Sequence, residues 1–256
     1  MRSIVFACIV LFLLTAASEP PKQKIAFVSI PKSGTHLLKK AIRLITDDLP
    51  IHWIALNGYS RFDPYKDLDL PKPITGAHLF PEIDLIRTEC SEHYKKILMI
   101  RDPRDVMISF MYHLKQRKLW AGKDHFDFKA FAKLPLNEQL RTTLLFPEAW
   151  RNPYTSFSYA VIWKNDPTVF ACRFEDLVGV KGGGSRERQL NTLRDLALFL
   201  EYPLTEEKLT AIADQLFGGT WTFRHGKIGT WKQHFNHQNK QLFKQLVGRA
   251  VIDLGY

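Results

Sequence analysis

Residues 31–35 read Pro-Lys-Ser-Gly-Thr and stand between an apolar run, Ile25–Ile30, and a stretch where Leu37, Leu38, Ala41, Ile42 and Ile45 recur at helical spacing. A Gly-containing turn between a strand and a helix points backbone N–H groups into a hollow, and the helix adds its positive end, so such a turn holds an anion. Ser33, Gly34, Thr35 and His36 are placed to offer those amides, and Lys32 adds a full charge. The spelling departs from the nucleotide-kinase loop G-x-x-x-x-G-K-[ST], because lysine precedes glycine and only four residues separate Ile30 from the helix. No acidic residue downstream plainly offers itself to magnesium. The turn suits one compact anion held without a metal.

A second strand-to-helix junction carries the same kind of chemistry. Ile97–Ile100 is a buried-strand pattern that runs into Arg101-Asp102-Pro103-Arg104-Asp105, with Asp102 as a helix cap, Pro103 at the first helical position and Asp105 in the first turn. Arg101 can fork onto a phosphate, and Ser109, two helical turns further on, can donate a hydroxyl to the same group. Taken alone, Arg101 could equally pair with Asp102 or Asp105. A third segment, Phe223–Phe235 (FRHGKIGTWKQHF), combines two glycines with Arg224, His225, Lys227, Lys232 and His234 and is better anion-binding than core material.

These three segments, IPKSGTHLL, ILMIRDPRDVMISFMYH and FRHGKIGTWKQHF, resemble in order the signature segments of the sulfotransferases that use 3′-phosphoadenosine 5′-phosphosulfate (PAPS). The resemblance runs from about Ile25 to Tyr256 and includes Phe174-Glu175-Asp176-Leu177 and a terminal Leu-Gly-Tyr. It implies that Lys32, Ser33, Gly34, Thr35 and His36 grip the 5′-phosphosulfate. It implies further that Arg101 and Ser109 bind the 3′-phosphate and that Arg224, His225 and Gly226 close over it. Phe174 and Phe217 are implied adenine contacts, although Leu37 replaces an aromatic residue common in the family and Phe174 stands where many relatives carry tyrosine. Sulfuryl transfer needs in-line positioning, a base for the attacking hydroxyl and stabilisation of the departing oxygen. By resemblance His78 is the base and Lys32 neutralises the leaving phosphate, with His113 the alternative base. The lysine that cytosolic relatives place two residues before the histidine is Gly76 here. The implied acceptor is a hydroxyl or amine on a small molecule, carbohydrate or protein; no nucleic acid and no metal are implied. Two other readings stay open: a metal-dependent small-molecule kinase, and a non-catalytic protein that binds polyanions through a basic face.

The elements that must position these residues follow an alternating pattern. Strands are expected at Ile25–Ile30, Pro73–His78, Ile97–Ile100 and Thr168–Phe174, with a further short one possible between Ile51 and Leu70. Helices are expected at Thr35–Thr46, after Asp102, at Glu187–Leu200, Thr205–Phe217 and Lys240–Arg249. This is an α/β three-layer sandwich on a central, mainly parallel sheet with a P-loop-like turn, and its ligands belong at the carboxyl ends of the strands. Residues 119–160 are rich in aromatics that suit either an acceptor pocket or core, and Lys181–Ser185 (KGGGS) has the composition of a flexible surface loop.

Length, 256 residues with 45% hydrophobic side chains, fits a single domain over 25–256. Lys plus Arg number 36 against 26 Asp plus Glu, a net charge of +10 that favours an anionic ligand. Residues 1–18, with Arg2 before the apolar run Ile4–Leu14 and Ala16-Ala17-Ser18 after it, have the form of a secretory signal peptide, so export or the secretory pathway is expected. The competing reading is an uncleaved signal-anchor that tethers the chain to a membrane, and residues 19–24 read as a spacer. Cys90 and Cys172 could form one bridge but suit independent buried thiols, and no Cys/His spacing fits zinc. His225 places a titratable group where the family usually has lysine. Binding of adenosine 3′,5′-bisphosphate (PAP) should therefore weaken as pH rises, because a protonated ring attracts phosphate and a neutral one does not. Titration calorimetry between pH 5.5 and 8 checks this, and His225→Lys should flatten the dependence.

Overall fold

The computed structural model describes residues 23–54, 73–79, 92–116, 126–146, 153–219 and 225–256. Its strands are β1 (Lys24–Ser29), β2 (Ile51–Ile54), β3 (Ile74–His78), β4 (Tyr94–Ile100) and β5 (Val169–Arg173), joined in one sheet in the order β2-β3-β1-β4-β5. Every pairing is parallel. Its helices are α1 (Thr35–Ile45), α2 (Pro103–Gln116), α3 (Phe128–Lys133), α4 (Leu136–Leu145), α5 (Pro153–Lys164), the short α6 (Phe174–Leu177), α7 (Arg186–Phe199), α8 (Glu206–Leu216), the short α9 (Trp231–His234) and α10 (His237–Asp253).

A parallel sheet is stable only when helices cover both faces, and the strand sequences are apolar on both sides accordingly. Ile25 and Phe27 of β1 face one core with α1, α6, α7 and α8, while Ala26, Val28 and Ile30 face another with α2, α4, α5 and α10. On α1 the side chains Leu37, Leu38, Ala41, Ile42 and Ile45 are all buried, so the helical spacing in the sequence is the packing face. Each of the leucines and isoleucines contributes about 1.5–3 kcal/mol on full burial. Cap residues punctuate the helices: Asp127, Ser185, Thr205 and Asn236 each accept from a backbone N–H of the first turn. Asp102 does the same at α2, accepting from Arg104 N at 2.9 Å.

Several boundaries differ from the sequence expectation. β4 starts at Tyr94 rather than Ile97, because Lys96 is buried in a strand whose charged residues hide its length. α10 spans 17 residues rather than ten; its Asn236 cap and the Gly255 that follows its C-cap, φ +86°, lie outside the apolar pattern. Lys181–Ser185, whose composition suggests a flexible loop, instead folds around a 3-10 turn at Val180–Gly182 with Gly182 buried. Phe131 and Phe157 are core, and Phe126, Phe128, Tyr154 and Tyr159 pack against it, so the described aromatics of 119–160 other than the exposed Phe146 serve packing. Cys172 is buried, which raises its thiol pKa to about 12. Cys90 and residues 1–18 lie outside the described residues. No helix among the described residues is long and apolar enough to cross a membrane.

Register explains the glycine two residues before His78. Trp53, Gly76, Phe27 and Ile97 form one row across β2, β3, β1 and β4, and a Cβ at Gly76 would lie 2.3 Å from the Phe27 ring. The ring fills the volume that a side chain at 76 would need. Gly76→Ala should therefore lower stability by about 1–3 kcal/mol through overpacking. Phe27→Leu in the same chain should return part of that loss in urea unfolding.

Candidate active site

The turn after β1 is shaped by its own backbone. Lys32 and Gly34 take positive φ, +70° and +110°, and a Cβ at Gly34 would lie 2.6 Å from Phe174 and 2.9 Å from Met99. Glycine is required at 34 on both counts. Ser33 is fully buried and turned away from the hollow: its hydroxyl donates to Met99 O (3.1 Å) and its N–H to Ile30 O (3.0 Å). Ser33, expected among the ligand amides, thus ties the turn to β4 through its hydroxyl and to the end of β1 through its N–H. Gly34, Thr35 and His36 supply the open first-turn amides of α1. His36 reaches solvent; desolvation against the turn, then the charges of Lys39 and Lys32, hold its imidazole below the ordinary pKa, so it offers no fixed charge.

A polar chain links this turn to the neighbouring strand end. Thr35 Oγ1 lies 2.6 Å from Ser29 Oγ, and Ser29 Oγ lies 3.4 Å from His78 Nδ1. Ser29 and His78 are register partners on β1 and β3, so the sheet itself sets that spacing. Trp53 meets the His78 ring edge-on at 5.1 Å between centroids.

The next junction in the chain presents one face of α2. Arg101, Asp105, Ser109 and His113 succeed one another at intervals of four, so they line a single side. Lys32 Nζ lies 3.4 Å from His113 Nδ1, which brings the first turn against this face. Ser109 is half-buried. The Arg101 guanidinium is largely buried, stacks over Phe174 at 4.3 Å and donates through Nη2 to Lys227 O at 2.7 Å. The carboxylates around it, Asp102, Asp105 and Glu175, all have other partners. Asp102 holds Arg104 with two bonds of 2.8 Å. Asp105, fully buried, accepts from Gly229 N (2.7 Å), Thr230 Oγ1 (2.7 Å) and Trp231 N (2.8 Å), and stands 3.8 Å from Arg101. Burial pulls the Arg101 pKa down, against the fields of Asp105, Glu175 and Asp102, but a guanidinium stays protonated in a protein. Its Nε is buried without a hydrogen-bond partner among the described residues. A buried cation with an unspent donor is matched by an anion.

The third segment closes the far side. Gly226 and Gly229 take φ of +57° and +70°, His225 is exposed, and Arg224 lies outside the described residues. Phe174 is wedged between Gly34 and Arg101, whereas Phe217 is half-buried against the core formed by α1 and α8. Glu175 accepts from Asp102 N (2.9 Å) and from Tyr256 Oη (2.7 Å), which bolts the start of α2 to the terminal Leu-Gly-Tyr. Asp105, Glu175 and Trp231, whose ring lies 4.0 Å from the Arg104 guanidinium, build the site although motif reading gives them no role as ligands. The one signal for Asp105 is an acid four residues after an arginine. Among the described residues no group of His, Cys, Asp and Glu is suited to a metal ion.

The sulfotransferase domain family matches residues 22–217, and the chain belongs to that family. It is 24% identical over 191 residues to sulfotransferase 6B1 of Danio rerio, covering 67% of this chain and 57% of that relative, so the match spans little more than half the relative's length. It is 23% identical over 270 residues to sulfotransferase 6B1 of Mus musculus, covering 93% of this chain and 80% of the relative. Luciferin sulfotransferase of Photinus pyralis matches at 25% identity over 48% of this chain and 28% of its own length. Among solved structures, mouse sulfotransferase SULT7A1 complexed with PAP superposes with a TM-score of 0.60 at 18% identity, covering 92% of this chain and 88% of that one. Retinol dehydratase in complex with retinol and PAP gives 0.61 at 17% identity, with 90% and 81% covered. The fold is that of these enzymes.

Asp105 joins the second segment to the third, so Asp105→Ala should cost about 3 kcal/mol in urea unfolding, the scale of a broken buried charge contact. Asp105→Asn should cost less, since one acceptor oxygen remains.

Proposed function

We propose that this chain moves the sulfuryl group of PAPS to a hydroxyl, or an amine, of a small-molecule acceptor. The observation that carries the reading is the buried Arg101 guanidinium, flanked by the first turn through Phe174 and by the third segment through Lys227 O, with its Nε unpartnered among the described residues. A 3′-phosphate supplies the oxygens that such a group lacks. Arg101 and Ser109 hold that phosphate together with Arg224, His225 and Gly226. Gly34, Thr35 and His36 offer amides, and Lys32 a charge, to the 5′ side.

In the reaction the acceptor oxygen forms a bond to sulfur while the bond from sulfur to the 5′-phosphate oxygen breaks. The acceptor's proton passes to His78, and Lys32 offsets the charge left on the phosphate. His78 is favoured over His113 on electrostatic grounds. His113 lies 3.4 Å from the Lys32 ammonium, so taking a proton there would set two cations together, whereas His78 meets the hydroxyl of Ser29 and the ring of Trp53. The aromatic wall of Trp53 beside His78 supports an acceptor with a flat apolar body, in keeping with the luciferin and retinol named for two of the similar proteins.

Titration calorimetry of the folded protein with PAP, in EDTA, tests the cofactor assignment: uptake supports it and no uptake sinks it. A kinase would need magnesium, so loss of turnover on chelation would favour that alternative. With a labelled sulfonucleotide and a panel of phenols, sterols and sugars, His78→Ala should cut turnover roughly 10²–10⁴-fold with PAP affinity held. A polyanion binder would be indifferent to that change.

A further inference from the structure

The glycine-rich stretch 179–184 takes no part in the assignments above, yet it lies directly against the third segment. Its amides are spent on itself: Gly182 N donates to Gly179 O (3.0 Å), Gly183 N to Val180 O (2.9 Å) and Gly184 N to Gly179 O (2.9 Å). It therefore cannot act as an anion-binding nest through those groups. Toward the third segment it presents carbonyl oxygens. Ile228 N donates to Gly182 O at 3.0 Å, and Lys227 Nζ donates to Lys181 O at 2.7 Å. Gly182 is buried, and a Cβ on it would stand 2.7 Å from Gly226 O and 2.3 Å from Val178 Cγ2. On the opposite flank Arg101 donates to Lys227 O and Asp105 accepts from Gly229 N. The backbone of residues 226–229 is strung between these two supports, with alternate groups bonded to opposite sides.

We propose that the Gly179–Gly184 turn positions the phosphate-closing segment, with Gly182 as the residue that lets Gly226–Ile228 settle at the height of Arg101. The inference rests on the assignment of that segment to the cofactor's 3′-phosphate. A methyl group at 182 lifts Gly226 away from its seat, and the cost falls on ligands that carry the 3′-phosphate. The segment's carbonyl at Lys227 is also an Arg101 partner, so displacement loosens the guanidinium as well.

The experiment compares wild type with Gly182→Ala for two ligands, PAP and adenosine 5′-monophosphate, by calorimetry. PAP affinity should fall about tenfold, a loss large enough to measure cleanly, and monophosphate affinity less than about twofold. Equal losses for both ligands, or no loss for PAP, overturn the inference. Gly182→Ala combined with Val178→Ala separates positioning from folding, because it removes the methyl collision and leaves the one with Gly226 O. That double variant should regain part of the Tm lost by the single variant and keep the PAP defect; recovery of PAP affinity would assign Gly182 a merely structural role. It also serves if the single variant fails to fold. Failure of the wild-type chain to bind PAP would overturn the cofactor assignment itself. Binding by wild type with Gly182→Ala unchanged would overturn only the role of the turn.

Discussion

A guanidinium buried where its neighbouring carboxylates already have other partners is the constraint around which this protein is arranged. Burying a charge is costly unless hydrogen bonds and counter-charge meet it. Arg101 receives one carbonyl, one aromatic face and a carboxylate held off at 3.8 Å. That is enough to keep it in place and not enough to satisfy it. Asp105 could have closed the pair but is saturated by three donors from the third segment, so its charge is spent on building the site.

The sheet makes this arrangement possible. In the order β2-β3-β1-β4-β5 the central strands β1 and β4 deliver both strand-to-helix junctions side by side at one edge. Register then places Ser29 beside His78, and Ser29 in turn meets Thr35 at the start of α1. The same register puts Phe27 against Gly76, so the absence of a side chain at 76 is a packing requirement of this core. His78, at the end of β3, stands against the ring of Trp53 from the neighbouring strand.

Much of the fold was legible because its signals are local. Apolar runs ending in Pro31 or Arg101 mark buried strands, and the spacing of Leu37, Leu38, Ala41, Ile42 and Ile45 marks a helix face. Where charge or polarity masked the pattern, as at Lys96 in β4 or before the Asn236 cap, the boundary was lost. The site was legible in part. Lys32, Gly34 and Arg101 stand out by type and position, but the turning of Ser33 toward Met99 O follows from a contact 66 residues away in sequence. Lys181–Ser185 looks like a flexible surface loop by composition because composition carries no record of what packs on it.

The order of residues alone determined the alternation of strands and helices, the two anion-receptive junctions and the basic third segment, since each depends on periodicity or turn chemistry within a few residues. Only the tertiary structure decided that Asp105 clasps the third segment, that Glu175 meets Tyr256, that Phe27 excludes a side chain at 76 and that a glycine turn props Ile228. Those contacts join positions tens of residues apart, and their energy depends on burial and direction, which no local pattern encodes.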